Sequence, residues 1–67
     1  MKSAIKVCSM NNIEDVNNVR RAISSHQGVV ACEISQEKGE VNVVYDDYFV
    51  NLDKIIESIE DLGYTVL

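Results

Sequence analysis

The chain has 67 residues, of which 46% are hydrophobic, so we predict one domain with a single small core spanning residues 1–67. Eleven acidic and six basic residues give a formal net charge of −5, and such a surface repels phosphate backbones, which argues against a nucleic-acid partner. The apolar residues lie in periodic groups with no run long enough to cross a bilayer, so no membrane association is expected either.

The N-terminal stretch MKSAIKVCSMNN has only a short, interrupted apolar run, which fits neither a signal peptide nor a transit peptide. We therefore expect a cytoplasmic protein. Its two cysteines, Cys8 and Cys32, are expected to remain reduced thiols, because the cytosol disfavours disulfides and a disulfide scaffold would carry more cysteines.

Alternating apolar and polar residues predict a first strand over residues 4–8. From Ile13 the apolar positions recur at helical spacing, and we expect Ile13 to begin the buried stripe of a first helix. That helix should end near Ser24 or Ser25, shortly before Gly28, because glycine allows the chain to turn.

The segment VVACEIS, residues 29–35, predicts a second strand. If its alternation is strict, Val30, Cys32 and Ile34 share one face. Alternatively, Val29 joins that face after a local irregularity. Both arrangements are compatible with the sequence.

The segment QEKGE predicts a hairpin turn, followed by a third strand over residues 41–45. Asn51 is expected to cap a second helix that begins at Leu52 and stops at Gly63. The segment YTVL, residues 64–67, is predicted to form the last strand.

The predicted order β-α-β-β-α-β indicates an α+β fold of the ferredoxin-like type, in which two helices cover one face of a four-stranded antiparallel sheet. The strand order of that motif, 4-1-3-2, puts the third strand between Cys8 and Cys32. We expect Cys32 to face the core and Cys8 to lie on the open face, a placement that does not allow a disulfide.

Three stretches of the chain resemble the heavy-metal-associated domain family, which includes small copper and zinc chaperones and the N-terminal modules of metal-transporting ATPases. They are GVVACEI, EVNVVYDD and VNLDKIIESIEDLGYTV. The resemblance extends over essentially the whole chain, and the last stretch is its most specific part. It implies a role in metal homeostasis and a metal-transporting ATPase as a protein partner.

The first loop departs from the family pattern Met-x-Cys-x-x-Cys. Aligned on Gly28, Met10 occupies the methionine position, whereas Asn12 and Asp15 occupy the two cysteine positions. Tyr64 stands where bacterial members place an aromatic residue beside this loop. Amide and carboxylate oxygens are hard ligands and bind the soft Cu(I) ion poorly, so we expect no cofactor at this degenerate metal loop.

The residues of the same loop also predict a well-formed helix start. Asn12 is a preferred N-cap residue, and Asp15 stands at the N3 position of a near capping box. Both Glu14 and Asp15 place negative charge in the first turn, where the helix dipole favours it.

A second hypothesis places a non-standard soft-metal site on Cys8 and Met10, since a thiolate and a thioether are soft donors for Cu(I). Two copies of the chain could share one ion through Cys8. The other interpretation is that Cys8 is a solvent-facing strand thiol and that Met10 packs beneath the loop.

Adjacent aromatic residues, Tyr48 and Phe49, precede the second helix and are candidates for a contact patch, although one of them could instead close the end of the core. No catalytic constellation is visible, because the single histidine, His26, has no evident nucleophile beside it and no phosphate-binding glycine loop is present. We predict a non-enzymatic protein-binding module that recognises a metal-transporting ATPase or a second copy of itself.

Overall fold

The fold, described over residues 1–67 by a computed structural model, is a four-stranded antiparallel sheet with two helices. Its elements are β1 (Lys2–Cys8), α1 (Ile13–Ser24), β2 (Val29–Ser35), β3 (Glu40–Tyr45), α2 (Leu52–Asp61) and β4 (Thr65–Val66). The strands lie in the order β2-β3-β1-β4. This architecture confirms the predicted ferredoxin-like fold, with a longer first strand and a shorter last strand than the sequence pattern indicates.

The core lies between the sheet and the two helices. Its buried residues are Ile5, Val7, Met10, Val19, Ile23, Val41, Val43, Tyr45, Val50, Ile55 and Ile59. The inward residues of β1 and β3 alternate with outward residues, as the period of two requires. Ile23, Ile55 and Ile59 are fully buried, and burying one such side chain contributes about 1.5 to 3 kcal/mol.

Each helix begins directly after the asparagine that the sequence indicates as its cap. The side chain of Asn12 accepts a hydrogen bond from the backbone N–H of Asp15 at 2.9 Å, and that of Asn51 accepts one from Lys54 at 2.9 Å. Each cap satisfies one backbone donor that the helix leaves free, which contributes typically about 1 kcal/mol. The two predicted caps are confirmed.

Strand β2 contains a local irregularity near its start. Its register to β3 shifts between Val29 and Ala31. Val30 is consequently 74% exposed, while Val29 packs against the core together with Cys32 and Ile34. Of the two arrangements allowed by the sequence, strict alternation is wrong and the irregular one is confirmed.

The helices are short relative to a bilayer. None of them combines the length and the apolar character that a transmembrane segment requires.

Candidate functional site

The loop between β1 and α1 follows a short path with one unusual backbone conformation. Ser9 adopts a φ of 72°, in the left-handed region that few residues other than glycine occupy. The next side chain, Met10, turns inward and is only 6% exposed, as a member of the core. Met10 therefore lies under the loop and supports it.

Asn12 and Asp15, the two loop residues that the sequence alignment singles out, have side chains that are hydrogen-bonded to their surroundings. The carboxylate of Asp15 accepts a hydrogen bond from the phenol of Tyr64 at 2.6 Å and another from the backbone N–H of Asn11 at 3.0 Å. The amide oxygen of Asn12 is occupied by the backbone N–H of Asp15. We call Asn11, Asn12, Asp15 and Tyr64 the loop network, and it joins the start of α1 to the chain that follows α2.

The loop network shifts the acidity of its two ionisable groups in opposite directions. The hydrogen bond from Tyr64 lowers the pKa of Asp15 below its ordinary range, and the backbone N–H of Asn11 adds to this effect. The same bond raises the pKa of Tyr64, because its neutral form is the one that donates. At neutral pH a charged carboxylate thus faces a protonated phenol.

These shifts predict how stability depends on pH. A carboxyl whose pKa is lowered on folding stabilises the fold above about pH 4, and this contribution is lost as the pH falls through the lowered value. The raised pKa of Tyr64 contributes below about pH 10, and that contribution is lost at higher pH.

Tyr64→Phe removes the phenol and tests the loop network directly. We expect the pKa of Asp15 to rise towards the ordinary carboxyl value, about 3.9. The part of the acid-induced loss of stability that comes from Asp15 should become smaller, because its folded and unfolded pKa values then lie closer together. The measurement is a titration of the Asp15 carboxyl carbon by NMR, with Tyr48→Phe, a change of an exposed tyrosine elsewhere, as the matched control. An unchanged Asp15 pKa in Tyr64→Phe would show that the phenol does not stabilise the carboxylate.

The two cysteines are free and lie apart in the sheet. Cys8 ends β1 opposite Thr65 of β4 and is half-buried. Cys32 lies on the edge strand β2, where burial raises the pKa of its thiol while the charge of Arg20 opposes this effect. No group of three or more histidine, cysteine or acidic side chains is arranged to hold a metal ion.

The start of α1 exposes an apolar side chain that the helical pattern had placed in the buried stripe. Ile13 is 67% exposed, so its predicted burial is wrong. The reason is its position: it opens the first turn of α1, whereas the buried residues begin one turn later at Val16. Leu62, at the C-terminal end of α2, is likewise 49% exposed. Ile13 adjoins the loop network directly in sequence.

Tyr48 and Phe49 lie at the other end of the sheet. They follow the end of β3, which pairs with the start of β1. The loop network follows the end of β1, so the two groups lie at opposite ends of that strand. Their rings meet edge to face at a centroid distance of 5.1 Å, and they are 85% and 54% exposed. Asp46 holds this turn by accepting a hydrogen bond from the backbone N–H of Tyr48 at 3.0 Å.

His26 makes a contact that sequence reasoning missed. Its Nε2 is hydrogen-bonded to the hydroxyl of Ser58, which itself donates to the backbone carbonyl of Lys54 at 3.0 Å. Because the hydroxyl proton is used there, the imidazole N–H donates to Ser58. The contact ties the turn after α1 to α2, and no local pattern indicates it because the residues are far apart in the chain.

Comparison with known proteins assigns the family. The model of the heavy-metal-associated domain matches residues 16–65. The copper chaperone CopZ of Staphylococcus aureus (strain bovine RF122 / ET3-1) is 39% identical over 49 residues, which cover 73% of this chain and 72% of that protein. The chain therefore belongs to the heavy-metal-associated domain family.

Two solved structures show the same architecture. A CopZ metallochaperone superimposes with a TM-score of 0.96 at 30% identity, covering 100% of both chains. A copper binding domain from HMA7, a P-type ATPase, superimposes with a TM-score of 0.93 at 27% identity, covering 98% of this chain and 89% of that one. The resemblance inferred from the sequence is confirmed, and the protein is metallochaperone-like.

Proposed function

We propose that this domain is a protein-binding member of the heavy-metal-associated family that works in metal homeostasis without a dithiolate site. The observation that carries the proposal is the loop network, and its members Asp15 and Asn12 align with the family cysteines when the sequence is counted back from Gly28. Their oxygen atoms already accept hydrogen bonds from Tyr64 and from backbone N–H groups. Such hard, engaged donors do not fit Cu(I), which prefers thiolate and thioether ligands.

The surface around the loop network supports a docking role. Exposed Ile13 and Leu62 supply apolar area at this end of the domain. Glu60 and Asp61 end α2, whose last turn contains no basic residue, although a helix C-terminus favours positive charge. This combination of apolar area and acidic charge suits a partner that presents basic and apolar residues.

The class of partner that fits best is the N-terminal metal-binding module of a metal-transporting ATPase. The structural likeness to a copper binding domain of a P-type ATPase supports this choice, since the two domains share their scaffold. A second copy of the chain is the other partner consistent with the proposal. The half-buried, unpaired cysteines fit a reducing compartment, so we propose a cytoplasmic location. We also propose a non-catalytic role, because the single histidine is engaged with Ser58.

A titration with the metal-binding module of a copper-transporting ATPase from the same genome tests the docking surface. Ile13→Ser should weaken binding by about tenfold, because truncating a central apolar contact typically costs more than about 1 kcal/mol. Val30→Ser is the matched control, since Val30 is similarly exposed at 74% but lies on β2, away from the loop. NMR shifts of the labelled protein report binding, and equal weakening by both changes would contradict the proposed surface.

The alternative candidate function is a non-standard soft-metal carrier built on Cys8 and Met10. The observation in its favour is that Cys8 is an unpaired, partly accessible thiol at the end of β1 next to the loop. Because Met10 is buried in the core, its sulfur is a less accessible donor than the thiol. The carrier would therefore rely on Cys8 from two copies to hold one Cu(I) ion between two thiolates.

A further inference from the structure

The face of the sheet that the helices leave open carries a regular pattern of charged and small residues. Across β2, β3 and β1, one row contains Ala31, Val44 and Lys2, and the next contains Glu33, Asn42 and Ala4. A third row contains Ser35, Glu40 and Lys6. On this face β1, which lies between β3 and β4, is thus basic, while β2 and β3 are acidic.

We propose that this open face binds a second copy of the chain about a two-fold axis parallel to β3. Such an axis lays β1 of each copy over β2 of the other, which makes the contact isologous. Glu33 then lies over Ala4 of the second copy, with Lys2 and Lys6 of that copy about 7 Å away in either direction along the strand. Ala4 is small enough to leave room for the side chains of Lys2 and Lys6 to approach Glu33.

The shape of the face supports the same arrangement. A shallow depression of about 200 Å³ is lined by Lys2, Ala31, Cys32, Glu33, Asn42 and Val44. The two-fold axis brings Lys2 of the second copy over Ala31, within this depression and beside Glu33. The basic side chain of one copy therefore enters the recess that the acidic side chain of the other borders.

The residues on the axis are compatible with the pairing. Asn42 meets the same residue of the second copy, and an amide side chain offers both donors and acceptors to its equivalent. Glu40 also approaches its own equivalent, which is repulsive. In the strand register Glu40 lies opposite Lys6 of its own chain, whose ammonium donates to the backbone carbonyl of Lys38 at 3.1 Å. Lys6 of the second copy lies on the other side of Glu40, so a lysine stands on each side of the two carboxylates.

The size of the face predicts a weak, salt-sensitive dimer. Three strands of about seven residues present roughly 350 Å² of projected area per copy, well below the roughly 800 Å² per partner of a stable interface. We expect self-association only at high protein concentration, and a decrease in association as added salt screens the charges. This inference does not depend on the docking surface around the loop network.

Sedimentation equilibrium up to millimolar protein tests the pairing with charge reversals. Glu33→Lys makes positions 2, 6 and 33 of the face all basic, and Lys2→Glu/Lys6→Glu makes the same three positions all acidic. Each variant alone should self-associate about tenfold more weakly than the wild type or worse, because like charges then oppose each other. An equimolar mixture of the two variants should associate again, since the opposite charges are restored between different chains.

Matched controls are Glu57→Lys, which changes the net charge as Glu33→Lys does, and Lys54→Glu/Arg20→Glu, which changes it as the double reversal does. All three residues lie on the helices, away from the open face. They should self-associate as the wild type does, and Ile13→Ser at the loop should also leave self-association unchanged. The pairing is overturned if the wild type stays monomeric at millimolar concentration. It is also overturned if the reversals behave like their controls, or if the mixture of folded variants fails to associate.

Discussion

Replacing Asn12 and Asp15 together by cysteine is expected to give the domain the capacity to bind one equivalent of Cu(I) per chain. The two new thiols would stand at the N-cap and N3 positions of α1, beside positive helix-dipole charge that favours their ionised form. Without metal the variant should be less stable by about 1 kcal/mol, because the Asn12 cap is lost. Copper should raise its stability by about 4 kcal/mol at a free ion concentration a thousandfold above Kd.

The single variants Asn12→Cys and Asp15→Cys are the controls for this gain. Each supplies only half of the dithiolate, so each should lose the ion to a strong colorimetric chelator under anaerobic conditions. Thermal unfolding with and without copper gives a second readout. A double variant that leaves all copper with the chelator would show that the scaffold is not a metal-loop scaffold with missing ligands.

The largest stability effect is expected from Gly28→Ala. Gly28 adopts a φ of 100°, and a Cβ atom there would lie 2.7 Å from Cβ of Phe49 and 3.2 Å from the backbone oxygen of Asp46. The Phe49 atom is attached directly to the backbone, so it cannot move away by rotating its side chain. The left-handed conformation and the forced displacement together should lower the free energy of unfolding by about 3 kcal/mol.

Gly63→Ala is a matched control for that substitution. Gly63 has a similar φ of 97°, but an added Cβ meets no atom within 4 Å. The decrease in the free energy of unfolding caused by Gly63→Ala should therefore reflect backbone strain alone, about 1 kcal/mol. Urea denaturation of the two variants measures the difference, and equal losses would show that the Phe49 contact is relieved without cost.

Most of the fold was predictable because its signals are local. The two asparagine caps, the change from helical to alternating periodicity and the turns at glycine each depend on a few neighbouring residues. The irregularity at Val30 could only be given as one of two alternatives, because a bulge and a strict strand share the same apolar residues.

The candidate site was predictable in its residues but not in its contacts. Asn12, Asp15 and Tyr64 could be aligned with the family pattern, yet the hydrogen bond from Tyr64 to Asp15 joins residues 49 positions apart. The contact of His26 with Ser58 is equally non-local. Ile13 was misplaced because helical periodicity does not show where the sheet beneath a helix ends.

The structure gives the Asp15 side chain a role that a cysteine would not fill. Its carboxylate accepts hydrogen bonds from both the Tyr64 phenol and the backbone N–H of Asn11. We infer that the loop keeps its shape through these hydrogen bonds without a metal ion. A surface of this kind can present Ile13 and its acidic neighbours to a protein partner whatever the copper supply.

If the domain works as proposed, the wild type binds proteins and leaves Cu(I) to other carriers. The decisive experiment is an anaerobic titration of the reduced wild type, beside Cys8→Ser, against a strong colorimetric Cu(I) chelator. We expect the chelator to keep all the copper in the presence of either protein. Removal of one ion per chain or per pair of chains by the wild type, but not by Cys8→Ser, would contradict the claim and assign the metal site to Cys8.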